Sequence, residues 1–78
     1  MNIKLAAKYT SELIDGAKGL ARDDPETGRQ HLHVMAAKIV SGEVTGEKAH
    51  RWLGWMQACI VLGDGSTLKE MKEINATV

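Results

Sequence analysis

The stretch TGEKAHRWLGWMQACIVL, residues 45–62, decides the fold class. At 100° per residue, Trp52, Leu53, Trp55, Met56, Cys59, Ile60 and Leu62 cover roughly half of a helix circumference, an arc wide enough to be buried on more than one side. Thr45 stands where a capping hydroxyl is wanted, so the spacing predicts a helix from Thr45 to about Leu62. The opposite arc carries His50, Gly54, Gln57, Ala58 and Val61. There the small pair Gly54 and Ala58, four residues apart, would let another backbone come close. This third helix is expected to be the central, most buried one.

The rest of the chain reads the same way. From Asn2 to Arg22 one stripe gathers Ala6, Tyr9, Leu13, Ala17 and Leu20, with Lys4, Lys8, Ser11, Asp15, Lys18 and Arg22 opposite, so a first amphipathic helix is expected there. Asp23-Asp24-Pro25-Glu26 marks a boundary. Pro25 restricts the residue before it and suits a first helical position, and Asp24 can cap free amides. A second helix is expected from Pro25 to about Ser41, with Leu32, Met35, Ala36 and Ile39 inward and Gly42 as its stop. Gly63-Asp64-Gly65-Ser66 reads as a turn. Thr67 with Glu70 then opens a last helix in which Leu68, Met71 and Ile74 face inward.

Composition agrees. Among 78 residues, 44% are hydrophobic but only 4% aromatic, so the core must be built from Leu, Ile, Met and Ala, as helix bundles are. The length predicts one all-α domain over residues 1–78, a small bundle of about four short helices. Ten basic and ten acidic side chains balance without any block of one sign, which disfavours nonspecific nucleic-acid binding. Cys59 is the single cysteine, so no internal disulfide is expected and a cytosolic setting fits. No apolar run reaches leader or membrane-span length, so neither secretion nor membrane insertion is expected.

The patterns of chemistry fail on spacing. His31 and His33 are two apart, hence about 160° apart on a helix, and no metal site or cofactor is expected. Asp64-Gly65-Ser66 lacks the alternating ligands of a calcium loop. Asp23, Asp24 and Glu26 are accounted for by capping, and Cys59 lies in the apolar face where thiols are inert. The glycines match no phosphate-cradling loop. A helix-turn-helix is disfavoured because its reading helix would present Lys69, Glu70, Lys72 and Glu73, repelling phosphates as much as attracting them. No enzyme is expected, because no acid, base and nucleophile set can be assembled.

What remains is Lys48 to Gln57. His50, Arg51, Trp55 and Gln57 are the candidate binding residues: a Trp could stack a base or anchor a partner protein, and Arg51 could hold a phosphate or carboxylate. Trp52 lies mid-stripe and reads as core.

Arg51-Trp52-Leu53-Gly54 with Gln57, then Gly63, Thr67-Leu68 and Glu70-Met71-Lys72 with Asn75, resembles a group of small, mostly uncharacterised phage and prophage proteins. The resemblance covers about the C-terminal 35 residues, with His31, His33 and Met35 standing for an upstream segment. It implies a small accessory protein of the host bacterial cytoplasm that binds a host or phage protein as an inhibitor or adaptor, of the anti-defence or host-takeover kind, and it brings no catalytic residues. A marginal core and the apolar third helix favour self-association, with a homodimer as the default. The alternative is an oligomeric trap for nucleotide signals, with Arg51 on phosphate, a Trp on the base, and His50 or Gln57 on the base edge.

Overall fold

A computed structural model describes all 78 residues. Four helices follow one another: α1 (Ile3–Ser11), α2 (Arg29–Val40), α3 (Gly46–Leu62) and α4 (Leu68–Thr77), with no strand. They form a small all-α bundle. The Cα radius of gyration of 11.1 Å is close to the ~11.5 Å of a packed chain of this length. None of the helices is long and apolar enough to cross a membrane.

α3 supplies more buried residues than any other helix: Ala49, Leu53, Met56, Gln57, Cys59 and Ile60. α1 packs on α2, α3 and α4, and α3 packs on α1 and α2 and is hydrogen-bonded to α4. The residue types of α1 explain its position. Ala6 and Ala7 are completely buried and short enough for neighbouring helices to close in on them. The chain is also drawn together at its ends, where the Asn2 amide donates to the Val78 carbonyl at 2.7 Å.

The first helix is shorter than expected and its buried face is turned. Asn2 caps it, its side chain accepting from the Leu5 amide at 3.2 Å, but α1 ends at Ser11 and gives way to successive turns as far as Leu20. The buried face consists of Ala6, Ala7 and Thr10, followed by Ile14 and Ala17 from the turns, whereas Tyr9 is 41% exposed and Leu13 and Leu20 are only half-buried. A tertiary contact accounts for the break. Gly19 donates its amide to the Gly63 carbonyl at 3.0 Å, and a Cβ on Gly19 would stand 3.1 Å from the Gly63 Cα. Two backbones meet there, between the α1–α2 connection and the α3–α4 turn, and a continuous helix to Arg22 could not follow that path.

α2 begins at Arg29 rather than Pro25. Asp24 does cap, but it caps a turn: its Oδ1 accepts from the amides of Glu26 and Thr27 at 2.9 and 2.8 Å. Leu32, Met35, Ala36 and Ile39 face inward as their spacing requires. The helix stops before Gly42, which adopts a φ of 83°. Thr45 occupies the cap position of α3 in extended geometry, but its hydroxyl makes no capping bond. Thr67 does cap α4, accepting from the Glu70 amide at 3.1 Å. Within α4, Met71 is buried and Ile74 half-buried, while Leu68 turns to water.

Candidate functional site

α3 and α4 form a helical hairpin whose turn has a specific cause. The Asp64 amide donates to the Val61 carbonyl and the Gly65 amide to the Ile60 carbonyl, with Asp64 itself at a φ of 62°. That is the Schellman way of ending a helix, with aspartate where glycine is usual. α4 then runs back beside α3 without closing against it. A groove of about 420 Å³ lies between them. α3 lines it with Gly54, Gln57, Ala58, Val61 and Leu62, and α4 with Leu68, Met71, Lys72 and Asn75.

Two features leave this groove open. Leu62 is 85% exposed and Leu68 61% exposed at its turn end, where both flank open space. At Gly54 a Cβ would meet nothing within 4 Å outside its own helix turn, so the small pair that could admit a close backbone admits none in this chain. Lys72 is the one charged side chain of the lining.

The amides of Gln57 and Asn75 in that lining are already committed. Gln57 Nε2 donates to Asn75 Oδ1 at 2.8 Å and to Thr10 Oγ1 at 3.1 Å, and Asn75 Nδ2 donates back to Gln57 Oε1 at 3.0 Å. Thr10 is on α1, so three helices are tied at this point by a polar cluster. Burial without partners would be costly, and the cluster supplies the partners.

The other candidates from the sequence lie elsewhere. Trp55 is 45% exposed, about 100° around α3 from Gly54, and its indole N–H donates to the Glu26 carbonyl at 2.9 Å. With Arg51, one turn away, it borders a shallow recess shared with Glu26, His31, Met35 and Trp52. Trp52 is half-buried, with Lys48 Nζ 5.2 Å from its ring centroid, a cation–π distance. His50 is exposed and borders neither the groove nor this recess. The structure therefore brings Arg51 and Trp55 together, places Gln57 on the far face, and leaves His50 apart.

Reading the sequence missed the α4 wall, above all Leu68 and Lys72. The available signal was Leu62, one turn beyond the Gly54–Ala58 pair and on the same face, an apolar residue too large to be exposed at no cost. Nowhere do three His, Cys, Asp or Glu side chains converge as metal ligands would, and His33 is engaged by Asp15 at 2.9 Å. No family model, no curated protein and no solved structure matches the chain.

Proposed function

We propose that this protein acts by binding, with the α3–α4 groove receiving the apolar face of an amphipathic helix from another protein. The observation that carries the reading is the exposed pair Leu62 and Leu68 in one groove with the exposed Ala58 and the empty space at Gly54. Helix-in-groove recognition uses anchors at three- and four-residue spacing, and a two-helix groove with small residues on one wall suits that occupant. Lys72, the lone charge of the lining, calls for an acidic residue beside the occupant's apolar stripe. In the setting that the C-terminal resemblance implies, the occupant belongs to a host or phage protein, and the chain serves as an inhibitor or adaptor in the bacterial cytosol.

The test uses amphipathic helical peptides of Leu and Glu, with a scrambled peptide of the same composition as control, titrated into isotopically labelled protein. Saturable shifts centred on Gly54, Ala58, Leu62 and Leu68, weakened about tenfold or more by Leu62→Glu, are expected. Shifts that are absent, or that centre on Trp55 and Arg51, would reject the groove. Sedimentation of the peptide-free protein separates the remaining occupant: a concentration-dependent dimer lost in Leu62→Glu would assign the groove to a second copy instead.

A further inference from the structure

A second recess lies on another part of the molecule, between the α1–α2 connection and the start of α2. Its lining is Asp15, Arg22, Arg29, Gln30 and His33, with no apolar side chain, and it encloses about 430 Å³. The two arginines are brought side by side by the backbone. Arg29 donates its amide to the Ala21 carbonyl at 2.9 Å and Gln30 to the Arg22 carbonyl at 3.2 Å, so residues 21–22 are laced to residues 29–30. The loop between them is tight: the Gly28 amide donates to the Asp24 carbonyl at 3.0 Å, and a Cβ on Gly28 would fall 2.5 Å from the Asp24 backbone. Six residues lie between Arg22 and Arg29, yet main-chain bonds hold their backbones together.

Neither guanidinium has a carboxylate at salt-bridge distance. Asp15, in the wall of the same recess, is engaged by His33, whose Nε2 lies 2.9 Å from Asp15 Oδ1. The first turn of α2 contributes no acidic residue. With Asp15 satisfied by the imidazole, two unpaired planar forks face a polar space.

We propose that this recess binds a phosphate group of a small polyanion through Arg22 and Arg29, with the Gln30 side-chain amide as a further donor. Guanidinium forks match phosphate oxygens two by two, and neither fork here is held by a carboxylate at salt-bridge distance. No hydrophobic residue lines the recess, so recognition rests on the phosphate group. Asp15 acts as the internal competitor. It holds the imidazole ring in place and repels the incoming anion, which sets the affinity low. This site is independent of the groove, and either can fail alone.

Pyrophosphate, inorganic phosphate, ATP and chloride at matched ionic strength would be titrated into labelled protein, following the side-chain Nε–H signals of both arginines and the amides of residues 21–33. Pyrophosphate is expected to give saturable shifts confined to that region, with affinity falling as salt rises. Arg22→Gln and Arg29→Gln should each weaken it about tenfold, the loss expected for a charge-assisted pair of bonds. Asp15→Asn should strengthen it, a gain that a general loss of structure could not produce. Shifts spread over the surface, unchanged binding in both arginine variants, or chloride competing as well as phosphate would overturn the proposal. ATP binding more than about tenfold tighter than pyrophosphate would overturn its restriction to the phosphate group.

Discussion

Gln57 and Asn75 bond to each other twice, amide to amide at 2.8 and 3.0 Å, and Gln57 reaches Thr10 with its remaining donor. Through this pair, α4 is tied to α3 by polar contact at one end, while at the turn end Leu62 and Leu68 are left on either side of open space. The groove and its clamp are therefore one arrangement.

Replacing Gln57 by Leu removes three hydrogen bonds at once and strands Asn75 and the Thr10 hydroxyl. The expected loss is about 1–3 kcal/mol, because unpaired buried polar groups cost more than the bonds contribute. Adding Asn75→Leu should recover part of it, since both partners are then apolar. Urea unfolding of the two single variants and the double variant measures this, and strictly additive losses would show that the amides act separately.

Three substitutions at turns and glycines should differ in sign. Gly54→Ala should stabilise by up to about 1 kcal/mol, because an exposed helix position with room for a Cβ favours alanine. Asp64→Gly should stabilise by about 0.5–1 kcal/mol by relieving the positive φ. Gly28→Ala should be strongly destabilising, since its Cβ would run into the Asp24 main chain. Thermal midpoints rank them, and a Gly28→Ala protein as stable as the parent would refute the tight loop.

Two carboxyls make the fold sensitive to acid. The hydrogen bond and charge of His33 hold Asp15 below the ordinary aspartate range, and the amides of Thr27 and Glu26 do the same for Asp24. Protons therefore bind the unfolded chain more readily. The stabilisation is complete above the ordinary aspartate value and is lost as pH falls through the lowered native values. At neutral pH Asp24→Asn should be less stable than the parent, and the two should converge in acid; unfolding curves that stay parallel down to pH values below the aspartate range would contradict this.

The Cys59 thiol is buried in the core, and desolvation, followed by the negative charge of Asp24, pushes its pKa up. The native protein should therefore react slowly with a thiol-specific disulfide reagent, at a rate set by opening of the fold. Urea well below the unfolding midpoint should speed the reaction. A native rate equal to that of a free cysteine would place the thiol outside the core.

Fold class, helix number and most of the α2 and α3 inward faces were legible along the chain because they depend on neighbours three and four residues away. Leu32, Met35, Ala36 and Ile39 repeat with the helical period and bury together, and Leu53, Met56, Cys59 and Ile60 do the same. Thr67 before Glu70 announces α4 through a contact within one turn.

The end of α1, the inward turn of Gln57 and the open groove follow from a different scale. α1 yields to turns where Gly19 meets Gly63, and Gln57 can be buried because Thr10, 47 residues away, and Asn75, 18 residues away, satisfy its amide. Periodicity marks Gln57 as polar and leaves it outside, since the free energy that admits it comes from partners on two other helices. For the same reason Leu62 and Leu68 read as core by their chemistry but stand in water: burying an apolar residue requires a facing wall, and in this chain no other element covers them.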